Sequence, residues 1–218
     1  MKKTLITGGC GYIGSHVVIE LLKKKIDVVI FDNLSNSSIE TIDKIKKVTG
    51  YSPKFFEGDI RNAYDLKKVF DQYNIGSVMH FAGLKSVSES CLMPEQYYEN
   101  NVNGTINLIE IMDLNNIKNF IFSSSAAVYD ENLEPPFIED SINLSPISPY
   151  GKTKLSVERY LQELPIKEKN WSIIILRYFN PIGAHSSGII GECISKNSEN
   201  LMPAIIKTAK KEKKVLRI

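Results

Sequence analysis

Tyr150 and Lys154 stand four residues apart, so on a helix they share one face. A phenol of ordinary pKa, ~10, is a poor base at neutral pH. A lysine ammonium within reach stabilises the phenolate, and each pKa unit of lowering corresponds to about 1.4 kcal/mol. Such a pair suits removal of a proton from an alcohol. By spacing alone the same two residues fit an exposed helix pair, so their neighbours must decide. Ser123, Ser124 and Ser125 close an apolar run, and a hydroxyl there can orient an alcohol and relay its proton. Serine clusters also mark plain turns.

A second group lies at the start of the chain. Gly9-Cys10-Gly11-Tyr12-Ile13-Gly14 follows Leu5-Ile6-Thr7 directly and opens a helical pattern. A glycine turn between strand and helix lets a pyrophosphate approach backbone N–H groups at the positive helix end. Glycine turns without a ligand are common, but here a second apolar run, Val28-Val29-Ile30-Phe31, ends on Asp32. That is where a ribose-binding acid is expected.

Alternating elements must hold these groups. Strand-like runs cover 4–7, 28–31, 54–57, 77–82, 119–123 and 172–178, and helical patterns fall between them at 12–25, 37–48, 62–74, 94–115 and 150–168. The alternation predicts an α/β fold, a doubly wound parallel sheet covered on both faces. Val17, Leu21 and Leu22 mark the apolar face of the first helix. Val157, Tyr160, Leu161 and Leu164 form the stripe of the helix at 150–168, with Ser148 as its N-cap and Pro149 at its first position. Tyr150 then starts that helix at the carboxyl edge of the sheet, where ligands of such folds bind. A last helical pattern covers 202–214, and its lysine run reads as a solvated face.

With 218 residues, 43% of them hydrophobic, the chain can bury a full core. A formal charge of +2 gives no reason to expect nucleic acid or an anionic membrane as partner. Cys10, Cys91 and Cys193 have no paired or metal-ligand spacing, which suits a reducing compartment and predicts no metal site. No segment approaches the roughly 20 apolar residues that span a bilayer, so the expected location is cytoplasmic.

Gly8, Gly11 and Gly14 keep the glycine spacing of short-chain dehydrogenases. With Ser125, Tyr150 and Lys154 they make the chain resemble the extended short-chain dehydrogenase/reductase family. Longer strings are similar to the UDP-glucose 4-epimerases within it. These include Thr7-Gly8-Gly9-Cys10-Gly11-Tyr12-Ile13-Gly14-Ser15-His16 and His80-Phe81-Ala82-Gly83-Leu84-Lys85. Arg177-Tyr178-Phe179-Asn180-Pro181-Ile182-Gly183-Ala184-His185 and Asn200-Leu201-Met202-Pro203 extend the likeness over essentially the whole chain.

The resemblance implies NAD as cofactor and UDP-glucose and UDP-galactose as substrates, within galactose metabolism. Gly8, Gly11, Tyr12, Ile13 and Gly14 would border the NAD pyrophosphate, with Asp32 on the adenine ribose. Asn33, Asn36 and Ser37 would line the same end, and Asp59 and Ile60 would flank the adenine. Phe81, Ala82, Gly83, Lys85, Asn100, Ser123 and Phe179 would run along the cofactor, and Ser125, Tyr150, Asn180, Asn200 and Leu201 would touch the nucleotide sugar. Tyr150, directly or through Ser125, would take the proton of the 4-hydroxyl. Lys154 would lower its pKa and hold the nicotinamide ribose. Asp32, with no arginine in Asn33-Leu34-Ser35, favours NAD over NADP.

By the same resemblance, residues 1–180 form the NAD-binding domain and 181–218 begin a smaller substrate domain. Relatives continue that domain past Ile218 to clamp the UDP, so the chain is expected to be truncated at its C-terminus. They are commonly homodimers through helices matching 94–115 and 150–168. Ala127 replaces a common threonine and Asp130 a common glycine. Two alternatives stand beside this reading. One is a nucleotide-sugar 4,6-dehydratase, disfavoured because Ser125-Ala126-Ala127 lacks the acid that eliminating water needs. The other is a non-catalytic module that holds NAD.

Overall fold

The computed structural model describes residues 2–140, 144–192, 201–212 and 215. Its strands are β1 (Lys3–Thr7), β2 (Val28–Asp32), β3 (Lys54–Glu57), β4 (Ile75–His80), β5 (Asn119–Ser125) and β6 (Ser172–Tyr178). They form one sheet in the order β3-β2-β1-β4-β5-β6, with every pairing parallel. Parallel neighbours require crossovers, supplied by α1 (Tyr12–Lys23), α2 (Glu40–Thr49), α3 (Ala63–Gln72), α4 (Val87–Leu92), α5 (Pro94–Tyr98), α6 (Gly104–Leu114) and α7 (Pro149–Lys167). Beyond β6 lies α8 (Leu201–Ala209). This is the doubly wound α/β sheet expected from the alternation.

Successive strand residues point to opposite faces, and both faces are covered. Leu5, Val29, Phe31 and Val78 pack with Leu66, Leu108, Val157 and Leu161 beneath α3, α6 and α7. Ile6, Val28 and Ile30 pack with Val18, Ile19, Leu22 and Ile45 beneath α1 and α2. Each fully buried side chain of this size contributes roughly 1.5–3 kcal/mol. Among the described residues no helix is long and apolar enough to cross a membrane.

Several local expectations are corrected. The buried face of α1 runs through Gly14, Ser15, Val18, Ile19 and Leu22, with Val17 and Leu21 at its margin. Small residues face the sheet there because the glycine loop crosses the helix at that point. Strand β4 begins at Ile75, which pairs with Lys3, and Gly76 is passed over before Ser77 pairs with Thr4, so the strand opens on an irregular step. The single helix expected over 94–115 is α5, a π-helical turn at Glu99–Asn103, and α6. The helix α4 arises from a Ser86 N-cap, whose Oγ accepts from the Glu89 N–H at 3.2 Å. Ser148 caps α7 as expected, accepting from the Gly151 N–H at 3.0 Å, with Pro149 at the first position.

Candidate functional site

Because all six strands are parallel, their carboxyl ends meet at one edge, and the strand order reverses between β1 and β4. The glycine turn sits there. Gly8 has φ +69°, and a Cβ on it would lie 2.5 Å from the Ala82 nitrogen, so the loops after β1 and β4 meet closely. A Cβ on Gly14 would lie 2.2 Å from the Gly8 carbonyl oxygen. The first turn of α1 carries no side-chain cap and no acid, which leaves N–H groups around Tyr12 and Ile13 open to an anion.

Asp32 is buried at the end of β2 and organises this corner. Its Oδ2 accepts from the Cys10 N–H at 2.9 Å, and its Oδ1 accepts from the Leu34 N–H at 3.0 Å and the Ser37 hydroxyl at 2.9 Å. Burial, then the Asp32 charge, push the Cys10 thiol up to about 12, so it remains a neutral packing group. Beside it Asn33 donates to Asp59 Oδ2 at 2.9 Å, and Arg61 grips both Asp59 oxygens at 3.0 and 2.7 Å. These Arg61 hydrogen bonds lead in holding the Asp59 carboxyl down at about 2. Ile60 is buried in the core, which leaves only its backbone at this end, and Asn36 is exposed. Two open hollows lie here, one lined by Asn33, Glu57, Gly58, Asp59 and Asp65, the other by Asp59, Arg61, Asn62, Ala63 and Glu99.

At the switch point, Phe81, Ala82, Gly83 and Lys85 leave β4. Asn101, in the π-helical turn, clamps this loop: its Oδ1 accepts from the Leu84 N–H at 2.8 Å and its Nδ2 donates to the Leu84 carbonyl at 2.9 Å. Asn100 donates to the same Oδ1 at 2.9 Å. Below lies His80, fully buried. Thr105 donates its hydroxyl proton to the Asn101 carbonyl at 2.7 Å, so its oxygen accepts from His80 Nε2–H at 2.9 Å. His80 Nδ1 is then the acceptor for Thr7 Oγ1 at 2.6 Å. One neutral tautomer therefore ties β1, β4 and α6 together.

Burial, with Lys154 adding to it, holds the His80 pKa down at about 3. In the unfolded chain the ring titrates near ~6.5. The folded value is the lower one, so this stabilisation is present above that pH and is lost as pH falls toward 3. Moving from pH 7 to pH 5 is expected to lower the unfolding free energy by about 2 kcal/mol through His80 alone. Urea unfolding of wild type and His80→Gln at both pH values checks this. An equal pH dependence in the two proteins would contradict it.

The second group gathers at the ends of β5 and α7. Tyr150 is partly buried in the first turn of α7, and its N–H donates to Ser90 Oγ at 3.1 Å. Burial raises the phenol pKa, and a hydrogen bond with the Ser125 side chain pulls it back. The direction opposes the lowering expected from Lys154. That lysine is buried and donates to the Ser123 carbonyl at 2.8 Å, and its Nζ lies 5.9 Å from the Tyr150 ring centre. Burial holds its own pKa down at about 8, with Glu158 opposing.

Phe179 and Asn180 follow β6 and stay exposed, Phe179 tilted against Tyr129 at 6.2 Å between ring centres. Leu201 opens α8 with its side chain exposed, and Asn200 lies outside the described residues. Tyr150 thus gathers with Ser125, to which it is bonded, and with the bonded pair Lys154 and Ser123, while Phe179, Asn180 and Leu201 stay exposed. Beyond Gly183, whose carbonyl accepts from Tyr12 Oη at 2.7 Å, the chain packs Ile190 into the core over α1. Sequence reasoning missed His80, Asn101, Arg61 and Glu158. Only Glu158 carried a local signal, standing one further helical step from Tyr150 and Lys154.

The chain that carries this arrangement has similar relatives. UDP-glucose 4-epimerase of Dictyostelium discoideum is 48% identical over 216 residues, 99% of this chain and 62% of that protein. The enzyme of that name from Neisseria meningitidis serogroup C is 48% identical over 209 residues, 96% of this chain and 62% of its own. The chain therefore spans about 62% of the length of these curated relatives. Among solved structures, the UDP-glucose-4-epimerase of Stenotrophomonas maltophila, with bound NAD and formylated UDP-arabinopyranose, matches with TM-score 0.95. It is 39% identical, over 99% of this chain and 64% of that one. The Bifidobacterium longum enzyme, in complex with NAD+ and UDP, matches with TM-score 0.94 and 42% identity over 98% and 64%. Residues 4–218 match the NAD dependent epimerase/dehydratase family, and the chain belongs to that family.

Proposed function

We propose that this chain holds NAD across the β1/β4 switch point and takes part in inverting C4 of a UDP-hexose, interconverting UDP-glucose and UDP-galactose in galactose metabolism. The observation that carries the reading is the convergence of Ser125, Tyr150 and Lys154 on the edge that bears the glycine cradle. The cradle fits a dinucleotide because its backbone is packed where any Cβ would intrude, and the uncapped start of α1 presents free N–H groups. Gly8, Gly11, Tyr12, Ile13 and Gly14 would hold the pyrophosphate. Asp32, with Ser37 and Asn33 around it, would hold the adenine ribose and would repel a 2′-phosphate. Asn36, Asp59 and the Ile60 backbone would complete the adenosine end.

Phe81, Ala82, Gly83, Lys85, Asn100, Ser123 and Phe179 would border the remainder of the cofactor, on the loop that Asn101 clamps. When bound, NAD supplies a hydride acceptor and donor for C4, and it is restored at the end of each turnover. The chain's own residues handle the proton. Tyr150 would remove it from the 4-hydroxyl, and Ser125 would orient that hydroxyl or relay the proton. Lys154 would stabilise the phenolate and contact the nicotinamide ribose. Asn180, Asn200 and Leu201 would bind the nucleotide sugar. Ala126 and Ala127 put no acid beside this group, which argues against a dehydratase.

The direct test supplies UDP-galactose and NAD, without NADH, and follows UDP-glucose. Formation of UDP-glucose with no net NADH is the expected result. NAD binding with no conversion would replace this reading with that of a cofactor-holding module.

A further inference from the structure

Glu158 is 1% exposed, yet it is a carboxylate in the interior of the domain. It stands on α7 four residues beyond Lys154, so Tyr150, Lys154 and Glu158 follow one another along the same face. Its oxygens are fully engaged. Ser124, at the end of β5, donates its hydroxyl to Oε1. Arg177 of β6 donates from Nε to both oxygens at 3.1 and 3.2 Å and from Nη2 to Oε2 at 2.8 Å. Through Nη1, Arg177 also reaches Tyr129 Oη at 3.1 Å and the Glu139 carbonyl at 3.0 Å.

A buried ion pair is a weak argument for stability, since desolvation cancels much of the attraction. The placement of this one suggests another use. Ser124 precedes Ser125, and Lys154 lies one helical turn away. The geometry points to Glu158 as a positioning residue that keeps Lys154 protonated in a desolvated site and fixes the strand end bearing Ser125. This rests on the proposed roles of Tyr150, Lys154 and Ser125.

The groups facing Lys154 leave few other candidates for that task. From β4 comes His80, which is neutral. From β5 come the Ser123 carbonyl, 2.8 Å from Nζ, and the Phe122 ring, 4.9 Å away. From α7 come Tyr150 and Glu158, while Arg177 on β6 points its charge into Glu158. Asn101, from the π-helical turn, brings a neutral amide to the same side of Gly83 as the Lys154 ammonium. Among these Glu158 is the anion that opposes the effect of burial on the Lys154 ammonium.

The test is a 13C NMR titration of the Lys154 ε-carbon in the NAD-loaded protein, assigned by comparison with Lys154→Met. In Glu158→Gln the Lys154 midpoint is expected to fall by about one pH unit. The double variant Glu158→Gln/Arg177→Gln, which removes both members of the ion pair and so leaves no unpaired Arg177, is expected to shift it in the same direction. Ser124→Ala removes a hydrogen bond and keeps the charge, so its Lys154 midpoint should match wild type. The alkaline limb of kcat/KM should move with the Lys154 midpoint. An unchanged midpoint in the double variant, or an equal shift in Ser124→Ala, would overturn the role of Glu158. The titration needs no turnover, so failure of the epimerase reading would appear separately, as absent conversion by wild type.

Discussion

Replacing Tyr150 by Phe is expected to leave NAD affinity within about twofold of wild type while UDP-hexose turnover falls about a thousandfold. The ring keeps its packing at the start of α7, because the backbone N–H, and not the hydroxyl, makes the bond to Ser90. What disappears is the hydroxyl bonded to Ser125, the group proposed to exchange the proton. In the cofactor-free protein this phenol is not poised as a base, since burial raises its pKa and only Ser125 pulls it back. The Lys154 ammonium is engaged with the Ser123 carbonyl. On the proposed roles, the positive charge of the oxidised cofactor would add to that of Lys154 in stabilising the phenolate. Isothermal titration with NAD and a coupled assay for UDP-glucose measure the two effects. Turnover above a tenth of wild type would remove Tyr150 from the base position.

The sheet was legible because β-branched and aromatic runs such as Val28-Val29-Ile30-Phe31 leave little freedom in assigning a doubly covered strand. The N-terminus of α7 was equally plain, since Ser148 and Pro149 act locally. Ser86 and Glu89 carry the same kind of local signal for α4, but the apolar pattern there is too short to mark a helix. The phase of α1 differs from its apolar pattern for another reason. Its buried face is set by contact with the glycine loop, which selects Gly14 and Ser15 over larger apolar neighbours. Long-range polar partners left no mark on local pattern. Asn101 meets Leu84, and Arg177 meets Glu158, only after the sheet has assembled. The site was thus visible where chemistry depends on residue type and spacing, and hidden where it depends on tertiary support.

Gly14→Ala is expected to weaken NAD binding by about a hundredfold, equivalent to about 2.8 kcal/mol. The new methyl would lie 2.2 Å from the Gly8 carbonyl oxygen and 2.9 Å from the Gly9 Cα, both backbone atoms that cannot rotate away. Relief requires the turn to lift from the first turn of α1. That turn is pinned from three sides: the Gly8 N–H donates to the Phe31 carbonyl at 2.8 Å, the Gly11 N–H to Gly8 at 3.1 Å, and the Cys10 N–H to Asp32 at 2.9 Å. Lifting it therefore disturbs the N–H groups proposed to face the pyrophosphate and the carboxylate proposed to hold the ribose, at once. Gly11→Ala provides the internal comparison, because its methyl would meet the same oxygen at 3.2 Å, a contact that a shift of a few tenths of an ångström relieves. Its loss of affinity should be much smaller. Calorimetric titration of both variants with NAD, beside circular dichroism to confirm that the sheet is intact, gives the ranking. A folded Gly14→Ala protein that binds NAD as tightly as wild type would show that the dinucleotide does not sit on this turn.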